Sequence, residues 1–459
     1  IGRGCHIFYG CKAVRFVLGD CSSLKYGARL IHSYLGDNST ISCCEVLNGL
    51  IFPAHEQHHN NSFLIASLVK GQSNIAAGAT IGSNHNSRAP DGEIEAGRGF
   101  WPGLCVSLKH FSRFASFVLL AKGDYPAELD VPLPFSLVSD DVANDRLQIM
   151  PGYWWLYNMY ALARNSWKLH HRDNRRHKVQ NIEFDSLAPD TTEETLAATA
   201  MLERWTAKAK LRAGGKDPEK TGDAALQELG RKLLTGPAAD TASLEVLGEN
   251  IERSSRKVVI IKVREGYHAY RDMLHYYAVG NLLHYMKANP EADLAAMSKA
   301  LGPPGGGRGG ERVTQWVNLG GQLMAAGDVD RLRADIREGK LDSWQDIHDR
   351  YDQFWQKYPL DKQRHALAIL LELYGVDRLT AEVWNAALDE AVRIQRYVRD
   401  QAYLTRKKDY ENPFRRMTFV NAAEMEAVMG SAEDNAFVKQ VREEAKEFEQ
   451  LVAAARKRG

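Results

Sequence analysis

The stretch from Leu18 to Gly49 decides the fold. It reads Leu18-Gly-Asp-Cys-Ser-Ser, Leu24-Lys-Tyr-Gly-Ala-Arg, Leu30, then Leu35-Gly-Asp-Asn-Ser-Thr, Ile41-Ser-Cys-Cys-Glu-Val and Leu47-Asn-Gly. An aliphatic residue recurs about every six positions, which is neither the 3.6-residue period of a helix nor the two-residue period of a strand. This period is typical of a coil with three flat faces. Each aliphatic side chain points to the coil axis, and Gly, Asn or Asp occupies the corner.

The repeat continues on both sides of this stretch, through Ile1 and Ile7 before it and through Val69, Ile75, Ile81, Ile94 and Phe100 after it. The pattern resembles the hexapeptide repeat of bacterial acyltransferases, which implies a left-handed parallel β-helix over residues 1–150. Two interruptions, at 52–62 and 83–93, predict excursion loops, because a coil cannot hold such polar residues inside. The chain begins inside the repeat, so we expect it to be part of a longer protein.

Composition changes near residue 150. Charged residues make up about a sixth of residues 1–150 and about three-tenths of residues 151–459, where Ala, Leu, Glu, Lys and Arg predominate. This change predicts an α+β, multi-domain chain, in which the β-helix precedes a mostly α-helical region at 151–459. The glycine-rich segment at 300–311 is a candidate boundary between two helical subdomains. Helices are also predicted at 241–254 and 312–326.

Overall composition excludes several classes of protein. The 459 residues are 44% hydrophobic and 25% charged, as in a soluble globular protein, and the net charge of +1 argues against a general nucleic-acid binder. No apolar run approaches the roughly 18 residues that a membrane span requires. All six cysteines lie in the first 105 residues without CxxC spacing. We therefore interpret them as packing residues in a reducing compartment and predict a cytoplasmic protein.

Histidines in the two interruptions are the first candidates for chemistry. A neutral histidine can act as a general base that takes a proton from an attacking hydroxyl or amine. The candidates for this role are His85 first, then His59 and His58. The predicted substrate contacts are Asn84, Asn86, Arg88, His55, Lys109 and His110. As an alternative, His55, His58, His59 and His85 are candidate ligands of a Zn²⁺ ion.

A basic run from Arg164 to Lys178 is the second candidate. It holds six Lys or Arg and three His against one Asp. Such a patch can bind phosphate groups through charge-assisted hydrogen bonds. The residues predicted to bind the phosphate of a donor are Lys168, Arg172, Arg175 and Arg176. The alternative is that the run is an ordinary solvated end of a helix.

Residues 50–185 look like a large, poorly characterised bacterial family of hexapeptide-repeat proteins, labelled acyltransferase-like or domain of unknown function. The resemblance is carried by His58-His59-Asn-Asn-Ser-Phe-Leu-Ile-Ala, Gly82-Ser-Asn, Leu133-Pro-Phe-Ser-Leu, the block at Pro151-Gly-Tyr and the basic run at 164–178. It implies a left-handed β-helix followed by an α-helical extension.

The coils more distantly resemble the sugar-nucleotide acyltransferases of lipid A synthesis, in which a β-helix histidine is the base and the enzyme is a trimer. This resemblance implies transfer of an acyl group to a hydroxyl or amine of a sugar or sugar nucleotide, and a homotrimer. The acyl donor, coenzyme A or acyl-carrier protein, would be a co-substrate rather than a tightly bound cofactor. Hexapeptide proteins also include γ-type carbonic anhydrases and regulatory domains of nucleotidyltransferases. A metal-dependent lyase or hydrolase and a non-enzymatic sugar-nucleotide-binding or assembly module therefore stay open.

Overall fold

The chain folds into an N-terminal parallel β-solenoid of about seven turns followed by a mostly helical region, as the sequence predicted. The structure, a computed structural model, describes residues 1–83, 92–302 and 312–459. The predicted second excursion, at 83–93, falls largely outside the described residues.

The solenoid has three faces of short parallel strands. The first face contains β1 (His6–Ile7), β4 (Ser23–Lys25), β7 (Thr40–Ser42), β10 (Glu56–Gln57), β13 (Asn74–Ile75), β16 (Trp101–Pro102), β19 (Leu119–Leu120) and β22 (Leu137–Asp141). The second contains β2 (Lys12–Val14), β5 (Arg29–Ile31), β8 (Glu45–Leu47), β11 (Phe63–Ile65), β14 (Thr80–Ser83), β17 (Ser107–Lys109) and β20 (Asp124–Tyr125). The third contains β3 (Val17–Leu18), β6 (Tyr34–Leu35), β9 (Leu50–Ile51), β12 (Ser67–Val69), β15 (Ile94–Ala96), β18 (Ser112–Phe114) and β21 (Asp130–Val131).

Two further strands close this part of the molecule. β23 (Arg146–Met150) pairs antiparallel with β22, and β24 (Lys257–Ile260), from the helical region, pairs parallel with β23. A separate antiparallel hairpin joins β25 (Trp316–Leu319) to β26 (Gln322–Ala325). The hairpin replaces the helix predicted at 312–326. Residues 241–254, also predicted as a helix, lie outside the α-helices, and Leu247 bridges to Val259 instead.

The helical region contains α1 (Tyr153–Tyr157), α2 (Met159–His171), α3 (Pro189–Ala213), α4 (Asp223–Thr235), α5 (Val263–Ala288), α6 (Leu294–Leu301), α7 (Ala326–Arg337), α8 (Trp344–Tyr374), α9 (Ala381–Glu411), α10 (Pro413–Arg416), α11 (Ala422–Met429) and α12 (Ala436–Arg456). One core cluster joins solenoid residues such as Leu24 to helical residues such as Tyr267. A second cluster joins α5 and α6 to α8, α9 and α12, so the helices on either side of the 300–311 segment share a core. Among the described residues, no helix combines the length and apolarity needed to cross a bilayer.

The stacked coils place one side chain per face on the solenoid axis. On the first face, Ile41 pairs in register with Gln57, and Gln57 pairs with Ile75. On the second face the axial position belongs to Val46, which is fully buried, and not to Leu47, which the strict six-residue repeat placed there. The spacing from Ile41 to Val46 is five residues, because the corner between these strands is one residue shorter.

Residues 52–62 continue the coil instead of forming the predicted excursion. Phe52 is buried, and the strand β10 pairs on both sides with its neighbours. The aliphatic pattern breaks here because the axial side chain is the polar Gln57, which is fully buried. A coil can hold this residue inside because its amide is hydrogen-bonded there.

A chain of five hydrogen-bonding groups satisfies this polar layer. Ser73 Oγ lies 2.8 Å from His55 Nδ1, and His55 Nε2 lies 3.2 Å from Gln57 Oε1. Gln57 Nε2 donates to Ser62 Oγ at 3.0 Å, and Ser62 Oγ donates to Cys44 Sγ at 2.9 Å. One consistent direction of donation runs along the chain when His55 carries its proton on Nε2.

We predict that Gln57→Leu lowers the free energy of unfolding by about 1–3 kcal/mol, although leucine restores the aliphatic repeat. The substitution leaves His55 and Ser62 without their buried partner, and such orphaned groups cost about this much. Urea unfolding measures the change. The control Ile75→Leu, on the same face of the next coil, is expected to cost less than about 1.5 kcal/mol. A Gln57→Leu protein more stable than the parent would contradict the network.

The helical region docks along the third corner of the solenoid, which leads from the third face to the first. Asn38 Nδ2 donates to Asp173 Oδ1 at 2.9 Å, and Gln72 Nε2 donates to the Glu183 carbonyl at 2.6 Å. The guanidinium of Arg98, 1% exposed, donates to both carboxylate oxygens of Asp190 at 2.9 and 2.8 Å.

The same corner continues towards the last coils. Glu194 accepts from the backbone N–H of Ser116 at 2.9 Å and from its hydroxyl at 3.2 Å. Farther on, the Tyr270 hydroxyl donates to the Pro134 carbonyl at 2.6 Å. The third corners of five coils therefore each bind a residue from the segment 173–194 or from α5.

Burial raises the pKa of Glu194 to about 7, and the nearby Asp190 adds to the effect. The unfolded chain releases this proton near the ordinary pKa of 4.5. Folding therefore takes up a proton between these values, and the stability that Glu194 supports is lost as the pH rises through 7. We predict that Glu194→Gln, a mimic of the protonated acid, gains in Tm relative to the parent between pH 5 and pH 8. A Tm difference that is constant with pH, as expected for the exposed control Glu426→Gln, would contradict this assignment.

Candidate functional site

The histidines predicted as candidates do not converge on one cleft. His55 is fully buried in the solenoid interior, and burial lowers its pKa to about 4. It therefore has no surface with which to contact a substrate. Its two ring nitrogens face Ser73 and Gln57, which leaves no lone pair directed at a metal.

His58 and His59 lie at the first corner of the solenoid, directly after β10. Their rings are 4.3 Å apart, and His59 is exposed with a φ of 71°. His58 Nδ1 lies 3.4 Å from Glu56 Oε2, and both side chains are about one-third exposed. Glu56 and His58 point outward because Gln57, between them, points inward.

His85, Asn84, Asn86 and Arg88, predicted in the second interruption, fall outside the described residues. Lys109, predicted to contact substrate, forms an ion pair with Glu128 at 3.0 Å. His110 is 3% exposed, and its Nδ1 accepts from the backbone N–H of Gly92 at 2.5 Å.

The basic run divides into two parts with different surroundings. α2 ends at His171, and the chain beyond it lies on the third corner of the solenoid. There Arg175 is buried, and its guanidinium donates to Asp37 at 3.0 Å and to Asp173 at 2.8 Å. Burial opposes ionisation of Asp173, but hydrogen bonds from Arg175 and Asn38 outweigh it and hold its pKa well below the usual range. Arg175 is therefore a docking residue, whereas Arg176 is exposed.

The helical part of the run faces the solenoid. Lys168 is half-buried, and Glu56 on β10 is close enough to favour its charged form. Burial is the larger effect and lowers the pKa of Lys168, and the cations of Arg172 and Arg164 lower it further. Arg164 and Lys168 lie at i and i+4 and share one face of α2, and Arg172 is the C-cap residue just beyond the last turn. We call Glu56, His58, Arg164, Lys168 and Arg172 the α2 site.

The α2 site combines the two parts that the sequence predicted separately. One part is a histidine whose Nδ1 lies 3.4 Å from a carboxylate without a hydrogen bond between them, a pair that can stabilise an imidazolium. The other is two half-buried cations on α2, Arg164 and Lys168, with the exposed Arg172 just beyond the end of the helix. Partial burial strengthens the attraction of the first two for an anion relative to bulk solvent. Sequence reasoning did not predict Glu56, although its alternation with Gln57 in a strand was available as a signal.

Residues 307–455 match the family model described as Domain of unknown function (DUF6819). The chain is also similar to a protein of Treponema pallidum (strain Nichols) titled "Uncharacterized protein", with 46% identity over 445 residues. The alignment covers 97% of this chain and 59% of the relative, so the chain spans about three-fifths of that protein's length. The similarity therefore extends over the solenoid as well as the helices. Neither of these two descriptions names an activity. Membership of the acyltransferase-like family therefore stays a prediction, apart from the solenoid fold.

A metal site has no support in the described residues. Within residues 1–83, 92–302 and 312–459, no group of three or more His, Cys, Asp or Glu side chains is arranged to hold an ion. All six cysteines are free thiols at or near corners of the solenoid.

We predict that Arg175→Ala lowers the free energy of unfolding by about 3–5 kcal/mol, because it removes the buried cation that Asp37 and Asp173 share and leaves Asp173 with only the exposed Lys178 as a charge partner. Denaturant unfolding measures the change. Arg176→Ala, one residue away and exposed, is expected to change it by less than about 0.5 kcal/mol. Equal effects of the two substitutions would contradict a docking role for Arg175.

Proposed function

We propose that the protein is an acyltransferase of the hexapeptide-repeat type whose active centre is the α2 site. His58 is the general base, and Lys168, Arg164 and Arg172 bind the phosphate groups of a coenzyme A or acyl-carrier donor. The observation that carries the proposal is the position of Glu56. Its Oε2 lies 3.4 Å from Nδ1 of His58, and its charge favours the charged form of Lys168, so one carboxylate acts on both the histidine and the helix.

The chemistry assigns each group a role. An acceptor hydroxyl or amine attacks the thioester carbonyl and gives its proton to Nε2 of His58. The new ester or amide bond forms as the carbon–sulfur bond breaks, and the leaving thiolate takes the proton from the imidazolium. The Glu56 carboxylate beside Nδ1 stabilises the imidazolium formed in between. The acceptor is a sugar or sugar nucleotide and the assembly a homotrimer, on the strength of the family resemblance.

The alternative base is His85, the first choice from the sequence, which lies outside the described residues. Separate substitutions of His58 and His85 distinguish the two candidates. His32 offers a matched control, because it is an exposed solenoid histidine at a corner, with a φ of 48°.

We predict that His58→Ala lowers turnover by about 100-fold or more, as expected when a general base is removed. Release of free thiol from acetyl-coenzyme A is followed with a thiol-reactive chromophore, in the presence of a panel of sugar nucleotides. His32→Ala is expected to retain turnover within about twofold. Loss of turnover in His85→Ala but not in His58→Ala would assign the role of the base to His85.

The cations have a readout of their own. Lys168→Ala and Arg172→Ala should raise KM for acetyl-coenzyme A and leave KM for S-acetylpantetheine, which lacks phosphates, unchanged. Lys210→Ala, an exposed lysine of α3, is the control. Absence of thiol release with every donor and acceptor in the parent protein would refute the proposed function.

A further inference from the structure

A cleft of about 680 Å³ lies on the other side of α2. It is lined by side chains of α1, α2, α5, α8, α9 and α12 and of residues 185–187. Its apolar lining includes Trp155, Met159, Leu162, Leu283, Val441 and Phe448. We call it the helical cleft.

The helical cleft is separate from the α2 site. On α2, Ala163, Trp167 and His170 line the cleft, whereas Lys168 faces Glu56 of the solenoid. These positions lie on different faces of a helix with 3.6 residues per turn. A ligand in the cleft therefore contacts a different set of side chains from a ligand at the α2 site.

Gly280 keeps the cleft open. It lies in the interior of the 26-residue helix α5 and lines the cleft, and a Cβ at this position would meet nothing within 4 Å. Glycine in a helix interior costs about 1 kcal/mol relative to alanine. Packing does not require this glycine, because a side chain would fit. Because Gly280 has no side chain, the volume between the apolar walls at this position stays unfilled.

The polar side chains that line the cleft carry both signs of charge. Lys287, Glu444 and Glu447 are exposed. Lys362 is already compensated, with its ammonium 2.9 Å from Glu183 and 2.9 Å from Asp185. The charges of the lining therefore leave the apolar walls as the surface that a ligand can cover.

We propose that the helical cleft binds the acyl chain of an amphiphile, with the hydrocarbon against the apolar lining and the polar head group, a carboxylate or a thioester, directed to solvent. The inference does not rest on the reaction proposed for the α2 site. A free fatty acid and an acyl thioester share this chemistry, and the experiment distinguishes them.

Calorimetric titration of the full chain with decanoate, decanoyl-coenzyme A and acetyl-coenzyme A tests the proposal, below the concentration at which the amphiphiles form micelles. We expect the two decanoyl compounds to bind in the cleft. Gly280→Leu should weaken their binding by at least tenfold while keeping or raising Tm, because its side chain fills the cleft without a clash. Gly280→Ala should raise Tm and retain binding, since one methyl group leaves most of the volume open.

Gly327→Leu is the matched control. Gly327 is an exposed glycine of α7 whose Cβ would also meet nothing within 4 Å, and it lies outside the cleft. Should Gly280→Leu fail to fold, Ala163→Leu fills the cleft from the opposite wall. Tighter binding of decanoyl-coenzyme A than of decanoate identifies a thioester as the ligand, and equal binding identifies the free acid.

Two results would overturn the proposal. One is a parent protein that binds neither decanoyl compound. The other is binding that both cleft-filling variants retain at the affinity of the Gly327→Leu control. These results differ from those expected if the proposed function of the α2 site is wrong. In that case thiol release is absent, but decanoate still binds in the cleft.

Discussion

Each coil of the solenoid must place one side chain per face on a dry axis, and every other feature of the structure depends on this requirement. Stacked strands lie about 4.8 Å apart, so each axial residue contacts the axial residues of the coils above and below. The residues directly before and after each axial residue must then point outward. Glu56 and His58 face outward because Gln57 occupies the axis, and the α2 site follows from that choice.

The corners show a second consequence of stacking. Many corner residues with positive φ are not glycine, asparagine or aspartate: Cys21, Ala54 and Gln72 have φ values of 56°, 63° and 53°. The left-handed region costs an ordinary L-residue about 1–2 kcal/mol. Each of these residues donates its N–H to a carbonyl of the preceding coil, at 2.8, 2.8 and 3.0 Å. The ladder of hydrogen bonds offsets the strain, so corners tolerate residue types that isolated turns disfavour.

The sequence predicted the solenoid and most helices because their periods are local. It could not predict the polar layer at His55 and Gln57, because a buried amide with partners has the same appearance in sequence as an interruption of the coil. The role of Arg175 was equally hidden, since its partner Asp37 lies 138 positions away in the chain. The hairpin at 316–325 was mistaken for a helix because its apolar residues suit either structure. For the candidate site, the sequence predicted the histidine and the basic helix. It did not predict Glu56, whose carboxylate lies near both.

Lys168 and Arg175 belong to one basic run, yet the fold gives them opposite surroundings, and the reason is where α2 ends. Up to His171 the chain is helical, and Lys168 lies near enough to the first face of the solenoid for its pKa to respond to Glu56, whose side chain is about one-third exposed. Beyond it the extended chain delivers Arg175 into a corner that already holds Asp37, and the guanidinium is neutralised by two carboxylates. A phosphate can compete for the first cation but not for the second without exposing two buried acids. The helix terminus therefore separates the residues that can bind a ligand from those that hold the two parts of the molecule together.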